Sequence, residues 1–356
     1  MKLGKLLLTD KREKGKFIEV VRRVVVFEDI GRPPWVLVRY RGARPKTQFA
    51  NYILDNMEKI RKSAKANKEN IKSKNLVYEI EYPPGKQEKK NYILKMPDLG
   101  ILESGDASKK KLRDIEHEFY SNVYLYELLE YPVEFGFEPG QKIVPLPSCL
   151  ILNEKTGEVI FLRTSVINTP LSIIAGERVS DVVAENTIKN CAVAAAMLTR
   201  VGVHPDIHFA NVGVDFSSNR CSVVFFDLED FIPLEEIRKR ELPNKIFSFL
   251  SSLILVLAGI GIIRTEEQVR MFKDTYLDVN REWIRETDPK IFNAVMRETP
   301  FLHTDKEIKS YHEISEGKFR NLANPDVWTV REIAKRINTG IYLFLKAMKL
   351  IATGRL

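Results

Sequence analysis

Cysteine is scarce in this chain: 356 residues include three, Cys149, Cys191 and Cys221, set far apart. That spacing excludes a disulfide framework and a cysteine-based zinc site, and it suits a reducing compartment. No internal repeat and no low-complexity stretch occurs, which excludes solenoids, propellers and collagen-like or disordered chains. The opening "MKLGKLLLTDKREKGK" has only three leucines in a row before charges resume, too few for the apolar core of a secretory leader, so a cytoplasmic location is expected. A single long apolar run is present, Ile246 to Ile263, eighteen residues without a charge between Lys245 and Arg264. It just reaches the length of a membrane span. Three serines, Gly259 and Gly261, and the lack of a second such run favour a core helix that is apolar on all sides. Glycine-rich phosphate loops are missing too. There is no Gly-x-Gly-x-x-Gly, and "GILESGDAS" has a Gly-x₄-Gly spacing without the Lys-Ser/Thr of a P-loop.

What the chain does have is material for a large core, with 44% hydrophobic and 29% charged residues, enough for two lobes. Net charge is +8, and much of the excess lies in "KIRKSAKANKENIKSK", Lys59 to Lys74. That segment reads as a solvated helix face or as a patch for nucleic acid or another polyanion. Residues 17–41 hold two β-branched runs, "FIEVVRRVVVFED" and "WVLVRY", split by "IGRPP", which predict a hairpin. Residues 45–72 turn helical, with Phe49, Ile53, Met57 and Ile60 at steps of three and four. Strands are predicted at "LVYEIEY" and "NYILKM", then a long helix over "DASKKKLRDIEHEFYSNVYLYELLE", then two strands in "CLILNEKTGEVIFLRTSV". Beyond about residue 170 the pattern is helical apart from Val201 to Phe231. The expectation is an α+β chain in three parts: a hairpin plus basic helix over 1–74, as an extension or an elaborated first lobe; a β-rich lobe over 75–166; and a helical lobe over 167–356.

The interruption at Val201–Phe231, "VGVHPDIHFANVGVDFSSNRCSVVFFDLEDF", carries the chemistry. A helix, "ENTIKNCAVAAAMLTRVG", runs into it. Asp206 then lies on a loop, Asn211 at a strand entrance and Asp227 at a strand end, with His204 and His208 beside Asp206. Such a set can serve phosphoryl transfer. One carboxylate orients a hydroxyl and accepts its proton, while an amide oxygen and a second carboxylate hold Mg²⁺ against nucleotide phosphates.

The helix–HxDxxxxN–hairpin–D series resembles the catalytic core of the protein-kinase-like superfamily, in its atypical and small-molecule branches more than in conventional protein kinases. Asp206 and Asn211 stand at the family spacing. His208 takes the place where conventional protein kinases usually carry Lys, and "FDLED" resembles the "IDFED" form of aminoglycoside-type kinases. The resemblance implies a two-lobed protein-kinase-like fold, ATP and Mg²⁺ as cofactors, Asp206 as catalytic carboxylate, and Asn211 and Asp227 as metal ligands. It also implies a strand lysine paired with a helix glutamate. "NYILKM" offers Lys95, flanked by apolar residues. In the next helix Leu112, Ile115, Phe119 and Val123 define an inward stripe. Glu116, at the edge of that stripe and within "EHEFY", is the expected partner, with Glu118 as the alternate. The adenine would pair with backbone groups around Arg163, Thr164, Ser165 and Val166.

Departures from that pattern bear on the acceptor. Only "EDIGRPP" and "YPPGKQEKK" could cover phosphates, each with one glycine, so either the backbone cradles phosphates in an unusual way or Lys86, Lys89 and Lys90 assist as point charges. Pro205 replaces the usual Arg before Asp206. Only about fifteen residues separate Asp230 from the apolar run, with no Ala-Pro-Glu. The phosphate acceptor that the resemblance implies would therefore be a small molecule, or a protein gripped elsewhere. Two other classes stand beside a kinase: an inactive nucleotide-binding scaffold, and a nucleic-acid-binding protein acting through residues 59–74.

Overall fold

In the computed structural model the described residues are 15–43, 47–71, 75–83, 90–97, 105–164, 168–170, 180–207, 211–215, 222–287, 305–306, 308–309 and 312. The chain forms two compact units. One is Met1–Ile167 with Phe225–Glu235, and the other is Asn168–Val224 with Glu236–Leu356.

The first unit is built on a six-stranded antiparallel sheet. Its strands are β1 (Val25–Asp29), β2 (Trp35–Tyr40), β3 (Asn75–Tyr82), β4 (Lys90–Pro97), β5 (Pro147–Asn153) and β6 (Val159–Thr164), in the order β1-β2-β5-β6-β4-β3. The run expected to be all hairpin divides. Lys16–Val24 is a helix, α1, and the hairpin begins only at Val25. The reason is a spacing that β-branched valines disguise: Phe17, Val20, Val21 and Val24 fall at i, i+3, i+4 and i+7, one buried helical stripe. Burial of that stripe overrides the local preference of valine for strand. The β1–β2 hairpin joins the sheet through β5, so the "EDIGRPP" turn is separated from β4 by β5 and β6. That placement removes it as a cover for anything bound at β4. The other proposed cover, "YPPGKQEKK", lies outside the described residues from Pro84 to Lys89.

Helices α2 (Thr47–Asp55) and α3 (Met57–Ile71) close one face of the sheet. Phe49, Ile53, Ile60 and Ala64 pack there against Leu37, Leu76, Leu94, Ile151 and Leu162. Ile30, Leu37 and these two helices thus share one core with the strands that follow. Along α3, Lys59, Lys62 and Lys65 stay exposed, opposite buried Ile60 and Ala64. Helix α4 (Gly105–Leu128) lies on the other face, its Phe119 ring edge-on to Phe161 of β6 at 5.8 Å.

The second unit is helical around a small sheet, with β7 (Asn168–Pro170), β8 (Val212–Asp215) and β9 (Ser222–Phe225) in the order β9-β8-β7. Helix α5 (Asp181–Thr199) starts at Ser180, whose Oγ accepts from Val183 N–H at 3.4 Å, and buries Ala192 to Ala196. Its far end is tied to α7 (Glu266–Thr287), the last long helix among the described residues, through Thr199 Oγ1 and Tyr276 Oη at 3.0 Å and Arg200 Nε to Asn280 Oδ1 at 2.8 Å. Between them α6 (Leu242–Gly259) takes up most of the long apolar run. By length and composition it could cross a membrane, and 61% of it is buried inside the protein.

Candidate functional site

Strand alternation delivers Lys95. Leu94 and Met96, on either side, point into the core under α2 and α3, so the period of two turns Lys95 toward α4. Its register partner is Phe161, the residue against which Phe119 of α4 packs. A lysine held there is mostly out of water, with a side chain 12% exposed. Its ammonium donates to Glu118 Oε2 at 2.5 Å and to Asp227 Oδ1, with Glu229 Oε2 at 3.4 Å. The helix partner is therefore Glu118 and not Glu116. Glu116 is buried elsewhere on α4, with Arg113 as the charge that acts on it. Burial drives this carboxyl up to about 7.

Asp227 comes to Lys95 because the chain turns sharply after β9. It is the one non-glycine residue with positive φ among those described, at φ 54° and ψ 53°. That left-handed conformation is one which aspartate tolerates better than most residues. Buried Phe226, Leu228 and Phe231 fix the turn, and Phe225 N–H donates to Ile143 carbonyl oxygen at 2.9 Å. The following single 3₁₀ turn, Leu228–Asp230, brings Glu229 back to the same ammonium.

Burial alone would lower the Lys95 pKa, but Asp227, Glu118 and Glu229 together raise it above the ordinary lysine value. Glu118 is pushed up to about 7 by burial; Lys95 pulls it back, and Asp227 and Glu229 push it further up. Arg163 adds a second cation: its guanidinium stacks on Phe226 at 5.3 Å and feels both Glu118 and Asp227. Burial lowers its pKa, and those carboxylates oppose the change. Three carboxylates thus face two cations. Carboxylate oxygens of Glu118, Asp227 and Glu229 come within 4.8 Å of one another, a hard-oxygen set that fits Mg²⁺.

Asp206 and Asn211 belong to the second unit. There Asn211 Nδ2 donates to the Asp206 carbonyl oxygen at 2.9 Å, closing the loop and leaving the amide oxygen as the end with lone pairs to offer. Asn211 is buried, the Asp206 side chain is half-buried and His204 is buried, whereas His208 lies outside the described residues. Of the residues expected around the adenine, Arg163 and Thr164 are strand residues of β6, in register with Ile93 and Tyr92, and Ser165 lies outside the described residues.

Sequence reasoning missed Glu229 and the charge role of Arg163. Glu229 had a signal, the two acids that follow Asp227 in "FDLED". Arg163 had none, because only the strand register places it diagonally from Lys95 on the same face of the sheet.

No protein-family model and no curated protein matches the sequence. Among solved structures the chain is similar to WaaP in complex with acyl carrier protein. That match has a TM-score of 0.36 and 9% identity, over 68% of this chain and 89% of that one. It is also similar to a double mutant of the PknI kinase domain of Mycobacterium tuberculosis, with a TM-score of 0.34 and 12% identity over 68% and 91% of the two chains.

Proposed function

We propose that this chain is an ATP- and Mg²⁺-dependent phosphotransferase of protein-kinase-like fold that moves the γ-phosphoryl group to a hydroxyl of a protein or small molecule. The observation that carries this reading is a single buried ammonium, Lys95, shared between Glu118 on a helix and Asp227 in a left-handed turn. Burying such a cluster is costly, and a well-packed apolar set of the same volume would stabilise the fold as well or better. Polyphosphate chemistry gives the cluster a use. Lys95, positioned by Glu118, would hold phosphate oxygens; Asp227 and Glu229 would hold Mg²⁺, which when bound neutralises charge on the phosphates. Asn211 would add an amide oxygen and Asp206 would take the proton of the acceptor hydroxyl. These two roles rest on motif spacing. The exposed lysines 59, 62 and 65 of α3 would offer an acidic acceptor a place to dock, an attraction that should weaken as salt rises.

Two aspartate variants separate the roles, studied by calorimetric titration with Mg·ATP and by transfer from γ-labelled ATP to the protein, a lysate and a metabolite panel. Asp206→Asn should bind Mg·ATP normally and turn over at least about a hundredfold more slowly, as expected for loss of a positioned base. Asp227→Asn should fail at the binding step. A wild-type protein that labels no acceptor, with both variants binding nucleotide as it does, would leave an inactive scaffold in place of an enzyme.

A further inference from the structure

A second device surrounds the Lys95 cluster. Helix α1 has no local side-chain cap: Gly15 precedes it, and its first amides are instead met by Glu235. Lys16 N–H donates to Glu235 Oε2 at 2.6 Å and Phe17 N–H to Oε1 at 2.9 Å. A carboxylate suits the positive end of a helix, but this one lies 218 residues further along the chain, eight past Asp227. A side chain at position 15 would crowd it, since a Cβ there would stand 2.6 Å from Oε1. The first side chain of α1 to enter the core, Phe17, then rests on two rings of α4: His117 at 6.1 Å and Tyr124 at 5.0 Å. Both rings reach onward to the segment after Asp227. His117 Nε2–H donates to the Phe231 carbonyl oxygen at 2.7 Å, and Tyr124 meets the Phe231 ring at 6.3 Å. Helix α1, helix α4 and the stretch from Asp227 to Glu235 are thus bolted to one another in a closed ring of contacts.

We infer that this interlock is a positioning device, with Glu235, Phe17 and His117 holding α4 and the Asp227 turn in the one arrangement that keeps Glu118 and Asp227 on Lys95. His117 immediately precedes Glu118, so the bond that fixes its imidazole to Phe231 also fixes the rotation of α4 at the ion pair. The Glu235 carboxylate closes the ring from its far side. Loosening either end frees α4 to turn and the Asp227 segment to shift, and Lys95 loses its partners. In turnover the interlock would set the rate without touching substrate, a consequence that rests on the phosphotransfer reading. The geometry itself does not depend on that reading.

The test reads Lys95 directly. Acetylation of the full-length protein by a water-soluble active ester, followed by mass spectrometry, measures how fast the Lys95 amine is labelled, whether or not the protein transfers phosphate. Glu235→Ala and His117→Phe, which retains a ring against Phe17, should each raise that rate about fivefold, the population change expected from loss of a cap or a comparable hydrogen bond. Glu235→Gln, which keeps an oxygen acceptor, should fall between wild type and Glu235→Ala. Ile53→Val, in the core on the other face of the sheet, loses a similar amount of stability and should label Lys95 at the wild-type rate. If Glu235→Ala and His117→Phe both label at the wild-type rate, or Ile53→Val labels as fast as they do, the interlock does not position the cluster. An inactive wild type would sink the phosphotransfer reading and leave this outcome standing.

Discussion

Two carboxylates stand two residues apart on α4, and the fold treats them differently. Glu118 meets an ammonium and shares it with Asp227; Glu116 is also out of water and, among the described residues, has only the exposed Arg113 side chain to oppose its burial. Burial raises both, to about 7. What sets them apart is the fixed opposite charge on β4. A shifted acid therefore marks a site only where a partner is built beside it. The same change without a partner marks a cost borne by the fold.

Removing the partner should have the largest effect. Lys95→Met leaves three carboxylates around an apolar stem, so it should cost ~3–5 kcal/mol of stability at neutral pH as well as phosphate transfer. Adding Glu118→Gln should return part of that loss by removing one stranded charge. Urea denaturation of wild type and both variants at pH 7 decides it. A Lys95→Met protein as stable as wild type would mean that the cluster is not ionised in the fold, and the contrast between the two glutamates would collapse.

This contrast also shows where the sequence stops being informative. Lys95 stands out because apolar neighbours flank it, and Asp227 because its distance from Asp206 and Asn211 fits one chemistry. Choosing between Glu116 and Glu118 from a helical wheel requires one apolar face, and α4 has none: every residue from Glu118 to Leu125 is buried. The helix is enclosed by the sheet, by α1 and by the segment after Asp227, so its apolar stripe does not point uniquely at β4. Helix α1 was hidden for a related reason, since its valines favour strand by residue type and helix by spacing. Beyond the β1–β2 hairpin, the sheet order could not be read. The partner of β2 is β5, more than a hundred residues on, and nothing local in either strand names the other.

A smaller effect, of opposite sign, is expected at Glu116. Its folded pKa of about 7 lies above the ordinary glutamate value of 4.5, so between those values the folded protein holds a proton that the unfolded chain has released. Stability contributed at this position is then present below pH 4.5 and lost as pH rises to 7. A glutamine has no proton to lose. Glu116→Gln should match wild type at pH 4.5 and exceed it by about 1–3 kcal/mol at pH 8, since each tenfold change in proton affinity is worth about 1.4 kcal/mol. Thermal or urea melts across that range measure the difference. A Glu116→Gln variant that loses stability at pH 8 would give Glu116 a partner of its own and make the two carboxylates alike.

The smallest effect belongs to Ser121, on the same fully enclosed stretch of α4. Its Oγ is buried with no hydrogen-bond partner among the described residues, and it makes no ion pair or ring contact with them. An unsatisfied buried hydroxyl costs stability, and alanine is the better helix former, so Ser121→Ala should gain about 1 kcal/mol without opening a cavity larger than the lost oxygen. The gain should be the same at pH 5 and pH 8, because a serine hydroxyl does not titrate there. That flat profile separates it from Glu116→Gln, whose benefit depends on pH. If Ser121→Ala instead weakens Mg·ATP binding while leaving the melt unchanged, then the hydroxyl serves the ligand. The polar groups of α4 would then divide by what they meet when nucleotide is bound, and the Lys95 ammonium would no longer be what sets Glu118 apart.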